Sequence, residues 1–281
     1  MKQRKSTLYY FFRNRNGVLG LCGVALIMAI GLIGPLFLAK PQGYTTDILV
    51  APGAAHWLGT DSLGLDILAE LVWGARTSLY VSVLALLVAA AIGLPLGLVS
   101  GYFNNWFSGL IDGFIDIFLT IPMLPLMIIM AAIMGANITN VALILGIFSW
   151  PSLARVTRNS TLKIREMQYI EAANSMGLSK MRILFRHILL NASGPVFVNL
   201  TLVMASAVLS EASLSFLGLG DPTTWSWGTM LKRAWSANAV ITSPNPWWWW
   251  LMPSLCIVLY VVCFNLFGMA LNDTLNPKGR S

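Results

Sequence analysis

Charge is what this sequence has least of. Of its 281 residues, 57% are hydrophobic and only 10% are Asp, Glu, Lys or Arg, against about 25% in a soluble domain. None of the four occurs in 16–39, 77–111, 117–154, 187–210 or 234–272. Each gap exceeds the ~20 apolar residues that cross a bilayer, which excludes a soluble protein with a greasy core. Histidine and cysteine are scarce too. His56 and His187 stand far apart, and Cys22, Cys256 and Cys263 fall in apolar stretches without metal-ligand spacing, where they act as small hydrophobes. No nucleophile–base pair, no His-Glu-x-x-His and no glycine-rich phosphate loop is present. Neither catalysis nor ATP hydrolysis by this chain is therefore expected, and no bound metal or cofactor.

What is present reads as an all-α polytopic membrane protein with six spans, at about 17–38, 77–101, 110–134, 138–157, 192–216 and 248–271. The first apolar run is longer than the core of a signal peptide and reads as a retained anchor. Fourteen of the 18 Lys and Arg fall in three segments: Lys2 to Arg15, Arg155 to Arg186, and Lys278 with Arg280. With six spans these share one side, and the positive-inside rule makes it the cytoplasm. Both termini and the loop at 158–190 are expected there, in a multi-pass cell-membrane protein. Because the basic residues are divided among juxtamembrane segments, they report topology and not nucleic-acid binding. The chain divides into 1–76, comprising tail, first span and outer segment, and 77–281, the remaining spans with the loop.

Several residues carry more specific expectations. Asp61 and Asp66 flank Gly64 in a spacing that suggests a cation loop but lacks a full oxygen set; the simpler reading is a capped turn. Ile67 to Trp73 reads as a short interfacial helix. Small residues in GLPLGLVSG (93–101) allow close helix packing. Asp112 and Asp116 lie one helical turn apart, in contact with the basic loop or as part of a gate. Pro122 and Pro125 should kink or loosen the same span. Glu211 either lines the translocation path or is a helix-end carboxylate reaching the outer interface or a neighbouring helix. Trp225, Trp227, Trp235 and Trp247 to Trp250 fit an outer aromatic belt more simply than a sugar or peptide site.

The segment 170–191, IEAANSMGLSKMRILFRHILLN, is basic and amphipathic between apolar spans. A short helix through Glu171, Ala172, Ala173, Asn174 and Met176 should end at Gly177, with Ser179 capping the next. Met181, Leu184 and Phe185 then make an apolar stripe, with Arg182 and Arg186 on another side. The segment could lie passively on the anionic leaflet. The glycine break argues instead for an elbow that fits a groove on a partner protein.

These residues resemble the Glu-Ala-Ala signature of binding-protein-dependent ABC importer permeases. GTDSLGLDILAELVWGARTSL (59–79), DIFLTIPMLPL (116–126), FSWPSLARVTR (148–158), SEASLSFLGLG (210–220), WSWGTML (225–231) and FNLF (264–267) are similar to the dipeptide/oligopeptide/nickel branch. The resemblance implies a type I importer fold. It also implies a homologous permease partner, an extracytoplasmic binding protein and two cytoplasmic ATPase subunits that use ATP and Mg. Glu171, Ala172, Ala173, Met176, Gly177 and Arg182 become the ATPase-coupling residues, and Asp112, Asp116 and Glu211 candidates for the path or its gate. Peptides are the default cargo; nickel or metal-chelate complexes and glutathione-like molecules are the alternatives. Three positions depart from the pattern: Leu190 for Pro, Leu65 for Arg, and MALNDTLNP (269–277) after the last span. The first should leave the start of the fifth span less kinked. A self-sufficient secondary transporter would need midplane charges that most spans lack. An intramembrane enzyme would need a catalytic pair, and Asp112 and Asp116 share one helix near an interface.

Overall fold

The structure, a computed structural model, describes residues 7–275. Lys2, Arg4, Lys5, Lys278 and Arg280, which carry part of the charge asymmetry, lie outside the described residues. Helices run in the order α1 (Thr7–Arg13), α2 (Arg15–Phe37), α3 (Ile67–Tyr102), α4 (Trp106–Thr120), α5 (Met123–Met134), α6 (Ile138–Arg165) and α7 (Gln168–Ser175). Then come α8 (Lys180–Arg182), a π-helical turn (Ile183–Ile188), α9 (Leu189–Asn191), α10 (Ser193–Phe216), α11 (Trp227–Ser236) and α12 (Trp247–Leu275). Among the described residues the only extended pairing is a single bridge between Thr60 and Asp66. This is what hydrocarbon demands, since a spanning segment must satisfy its own backbone hydrogen bonds.

Among the described residues, five helices are long and apolar enough to cross a bilayer: α2, α3, α6, α10 and α12. The third expected span, 110–134, is instead two helices, α4 and α5, bent by 88°. Pro122 is the cause. Its ring drives the preceding residue out of the helical region, and Ile121 sits at φ −79°, ψ 133°. Pro125 falls in the first turn of α5, where a missing N–H costs no helical bond. Two other boundaries move. Ile67 to Trp73 is the first two turns of α3, which starts at its Asp66 N-cap and runs unbroken through 76 and 77. At 36 residues α3 is about 54 Å long and overreaches a ~30 Å hydrocarbon core. α6 continues to Arg165, so Arg155, Arg158, Lys163 and Arg165 belong to a helix and not to a loop.

The tightest packing joins α3 to α6. Gly93, Gly97 and Gly101 face α6 directly, and a Cβ on Gly97 would lie 2.5 Å from the Ala154 carbonyl oxygen. α2 and α10 both pack on α12, and the broken pair α4–α5 leans on α6. Buried side chains from α2, α3, α10, α11 and α12 form the largest core cluster. A second cluster carries the core from α3 and α6 into the elbow through Leu98, Leu153, Ile170, Ile183 and Ile188.

The outer tryptophans do not form the expected belt. Trp225, Trp227, Trp248 and Trp249 are buried, while Trp235 and Trp247 are exposed. Trp225 donates its ring N–H to the Pro41 carbonyl, Trp227 to Leu71 and Trp248 to Thr60, each at 3.1 Å. Trp73 does the same to Leu38, also at 3.1 Å. A buried indole N–H needs a partner, and these partners sit mostly at the edges of the outer segment, 38–66. Trp73 and Trp248 fasten that segment to α3 and α12, Trp225 fastens it to the turn before α11, and Trp227 joins α11 to α3.

The glycine contact gives a direct test. Gly97→Val should force α3 from α6 and cost about 1–3 kcal/mol, read as a lower melting temperature in detergent. Gly109→Val, with open space around the glycine, should melt close to the parent.

Candidate functional site

The elbow is a fixed projection and not a loose loop. α7 ends in a Schellman turn. The Leu178 N–H donates to Ala173 O at 3.2 Å and the Gly177 N–H to Asn174 O at 3.0 Å. This requires the left-handed conformation that Gly177 adopts, φ +75°. Ser179 takes the next N-cap position, but its side chain makes no capping bond, contrary to expectation. The Tyr102 hydroxyl donates to Asn174 Oδ1 at 3.1 Å, and Lys180 Nζ lies 5.5 Å from the Phe103 ring centre. Arg165 donates from Nη1 to the carbonyls of Gly101 and Tyr102, both at 3.2 Å. The inner ends of α3 and α6 and the elbow thus form one unit.

The π turn redraws the expected apolar stripe. The Leu189 N–H bonds back to Leu184 O, one residue further than in an α-helix. The wider turn brings Ile183, Leu184 and Ile188 into the core and leaves Met181 and Phe185 outside. Leu184 is therefore not a surface residue, and neither is Ala173, which is 3% exposed and packs inward. Glu171, Ala172, Met176, Gly177 and Arg182 all face out. So do Met167 and Tyr169. Leu190 is exposed, and the chain still breaks at Ala192 before α10. The bend into the fifth span survives without a proline at 190.

The intramembrane acids are engaged elsewhere. Asp112 pairs with Arg158 at 2.9 Å and Asp116 with Arg155. Both pairs tie α4 to α6. Glu211 is fully buried and accepts from the Ser215 hydroxyl at 2.6 Å. It does not reach the outer interface. Close by, the Gly228 backbone of α11 rests on Ala212 of α10.

On the outer side lies a cluster that sequence reasoning passed over. Asp61 and Glu70 are both fully buried and face each other. Arg233 Nη1 of α11 stands 3.7 Å from Glu70 Oε1, and its guanidinium lies 3.9 Å over the Trp225 ring. Asp61 Oδ1 accepts N–H bonds from Leu63 and Leu65 at 2.8 Å, which makes the capped turn. Leu65, the departure from Arg, is itself buried. Glu70 sits in the first turn of α3, where an acid is favoured by the helix dipole whatever its partners. The only hint in the sequence was an arginine on an otherwise cation-poor side.

A helical bundle with one broken span, a segment at 38–66 fastened by indole hydrogen bonds and a fixed elbow at 168–188 has the architecture of a membrane-spanning protein. In fold it is similar to chains from inward-facing structures of the MetNI methionine ABC transporter. One matches with a TM-score of 0.61 at 19% identity, over 74% of this chain and 96% of that one. Residues 93–281 match the family described as "Binding-protein-dependent transport system inner membrane component". The chain belongs to that family, in its dipeptide/oligopeptide/nickel branch. It is 41% identical over 231 residues to the "Glutathione transport system permease protein GsiD" of Pectobacterium atrosepticum, 82% of this chain and 75% of that protein. It is 42% identical over 228 residues to the protein of the same name from Escherichia coli O157:H7, 81% and 74% respectively.

The outer segment should respond to pH. Burial raises the Asp61 carboxyl above its ordinary 3.8, and the hydrogen bond to Asp66 raises His56 above 6.5. The folded state holds both protons more tightly than the unfolded chain does. Stability should therefore be highest in acid and fall as pH rises through the window above 3.8, then again above 6.5. Melting temperatures from pH 4 to 8 check this. Asp61→Asn should remove the first fall and His56→Gln the second.

Proposed function

We propose that the chain works as the membrane-spanning subunit of an ABC importer in a multi-pass inner membrane setting, with ATPase and binding-protein partners. We propose that the elbow at 168–188 is where the ATPase engages it and that the cargo is a glutathione-like tripeptide. The observation behind the coupling role is the division of the elbow into two faces. One face is built into the core through Ile170, Ala173, Ile183 and Ile188. The other presents Glu171, Met176, Arg182 and two large apolar side chains, Met181 and Phe185, to the outside. A helix that only rested on lipid headgroups would not need a polar capped turn at its tip. A partner groove accepts such a knob, and a rigid root turns its displacement into movement of α3 and α6.

The proposal has further parts. The cargo reading rests on the two glutathione permeases, each similar over four fifths of this chain; it replaces a general peptide with one tripeptide class. The charge asymmetry supports cytoplasmic termini and elbow, with 39–66 and 217–246 outside. A homologous permease completes a heterodimer, and ATP with Mg is used by two separate ATPase subunits, so that this subunit is no enzyme. The proposed division at 76/77 falls inside α3, so the two parts share that helix, and the family match begins at 93 within the second part. The pairs Asp112–Arg158 and Asp116–Arg155 are contacts that a swing of α4 would break or remake, and Glu211 holds α10 against α11.

Glu171→Lys combined with Gly177→Pro tests the coupling role. The variant should insert at normal levels, lose copurifying ATPase and lose ATP-driven uptake by at least tenfold. Retained ATPase binding together with retained uptake would remove the elbow from the mechanism.

A further inference from the structure

Three spanning helices meet around an open cavity of about 390 Å³. Its polar lining is Ser149 and Ser152 of α6, Asn199 and Ser206 of α10, and Asn265 of α12, close to the middle of those helices. No ionisable side chain lines it. Asp112, Asp116 and Glu211 are all absent from its wall.

The hydroxyl donors of this lining are spent within their own helices. The hydroxyls of Ser149, Ser152 and Ser206 donate to Leu145 O at 2.6 Å, Ser149 O at 3.1 Å and Leu202 O at 2.9 Å. Asn265 Nδ2 donates to Val261 O at 2.9 Å. What remains are the Asn199 side-chain amide, the second N–H of Asn265 and the lone pairs of the hydroxyl oxygens, so the lining can both donate and accept. Asn199 Oδ1 is buried with no hydrogen-bond partner among the described residues. Unpartnered polar atoms at membrane depth are costly unless they face protein or a water-filled space. Asn199, Ser206 and Ser213 recur every seven residues on α10, two turns apart and nearly in line, so polar side chains continue along that helix beyond the cavity.

We infer that this cavity is the midplane contact of the transported solute, an uncharged, polar stretch that hydrogen-bonds the backbone of a small peptide. The inference rests on the importer reading above and adds the side chains that touch the cargo. A lining without carboxylates does not repel an anionic tripeptide. A lining without cations does not trap one, and passage needs contacts weak enough to release.

The test uses the assembled transporter, with its ATPase and binding-protein subunits, in proteoliposomes. Cys22, Cys256 and Cys263 are replaced by Ala. Ser206→Cys and a lipid-facing control, Leu87→Cys on the exposed side of α3, are each treated with a membrane-impermeant methanethiosulfonate reagent, with and without ATP. The thiol of Ser206→Cys should react at least tenfold faster than the control in one of the two conditions. Adding Asn199→Asp, about 10 Å away along the helix, should raise the ratio of cationic to anionic reagent rates at least threefold. Reaction at the control rate in both conditions would mean a dry helix seam and would overturn the inference. So would a rate ratio that Asn199→Asp leaves unchanged. Uptake of labelled glutathione by the cysteine-free parent is read separately. If that parent hydrolyses ATP but carries no glutathione, the cargo assignment fails while the labelling still decides the cavity.

Discussion

The approach of α3 to α6 is the contact on which the rest of the molecule depends. Three glycines at four-residue spacing on α3 let the Trp150 and Ala154 carbonyls of α6 come within van der Waals range of its backbone. No larger residue fits there. Because α3 overreaches the membrane, this contact continues past the hydrocarbon, where Arg165 fastens to the last carbonyls of α3. The elbow grows from that fastened end. Its inner residues share a core with Leu98 and Leu153 from the same two helices. A force applied at the elbow tip is therefore delivered to α3 and α6 and is not dissipated in a hinge.

The opposite end is held by different chemistry. Indole N–H groups of buried tryptophans bond to carbonyls near the ends of the outer segment. Asp61 and Glu70 meet under Arg233 at the point where that segment joins α3 and α11. Removing the arginine would leave two buried carboxyls without a cation, a change that commonly costs about 3–5 kcal/mol. Between these two fixed ends, the middle of the molecule is mechanically freer. There α4 and α5 break at Pro122, and α4 is tied to α6 by the partly buried pairs Asp112–Arg158 and Asp116–Arg155. The uncharged cavity between α6, α10 and α12 lies at the same depth.

Much of this was legible in the residues. Charge-free gaps located the spans, because a bilayer imposes one length and one composition. Glycine 177 announced a turn, since only its backbone takes φ +75° without strain. Other features were hidden for physical reasons. Pro122 signalled a kink, but the 88° bend depends on where α5 can pack. The π turn at 183–188 moved Leu184 inward, and no 3.6-residue periodicity anticipates an added residue. The tryptophans were assigned to the lipid interface because composition cannot distinguish a ring facing headgroups from one facing a carbonyl. Ala173 sat within the signature yet faces the core, so the signature mixes residues for packing with residues for contact.

An ATPase seated on the exposed face of the elbow, with the opposite face still in the core, must shield thiols at the elbow tip. Met176→Cys, in a chain freed of its three native cysteines, is labelled in inside-out vesicles with and without the ATPase subunits. At least tenfold slower labelling with the ATPases present is the predicted result. Equal labelling in both preparations, with the ATPases shown to be bound, would contradict it.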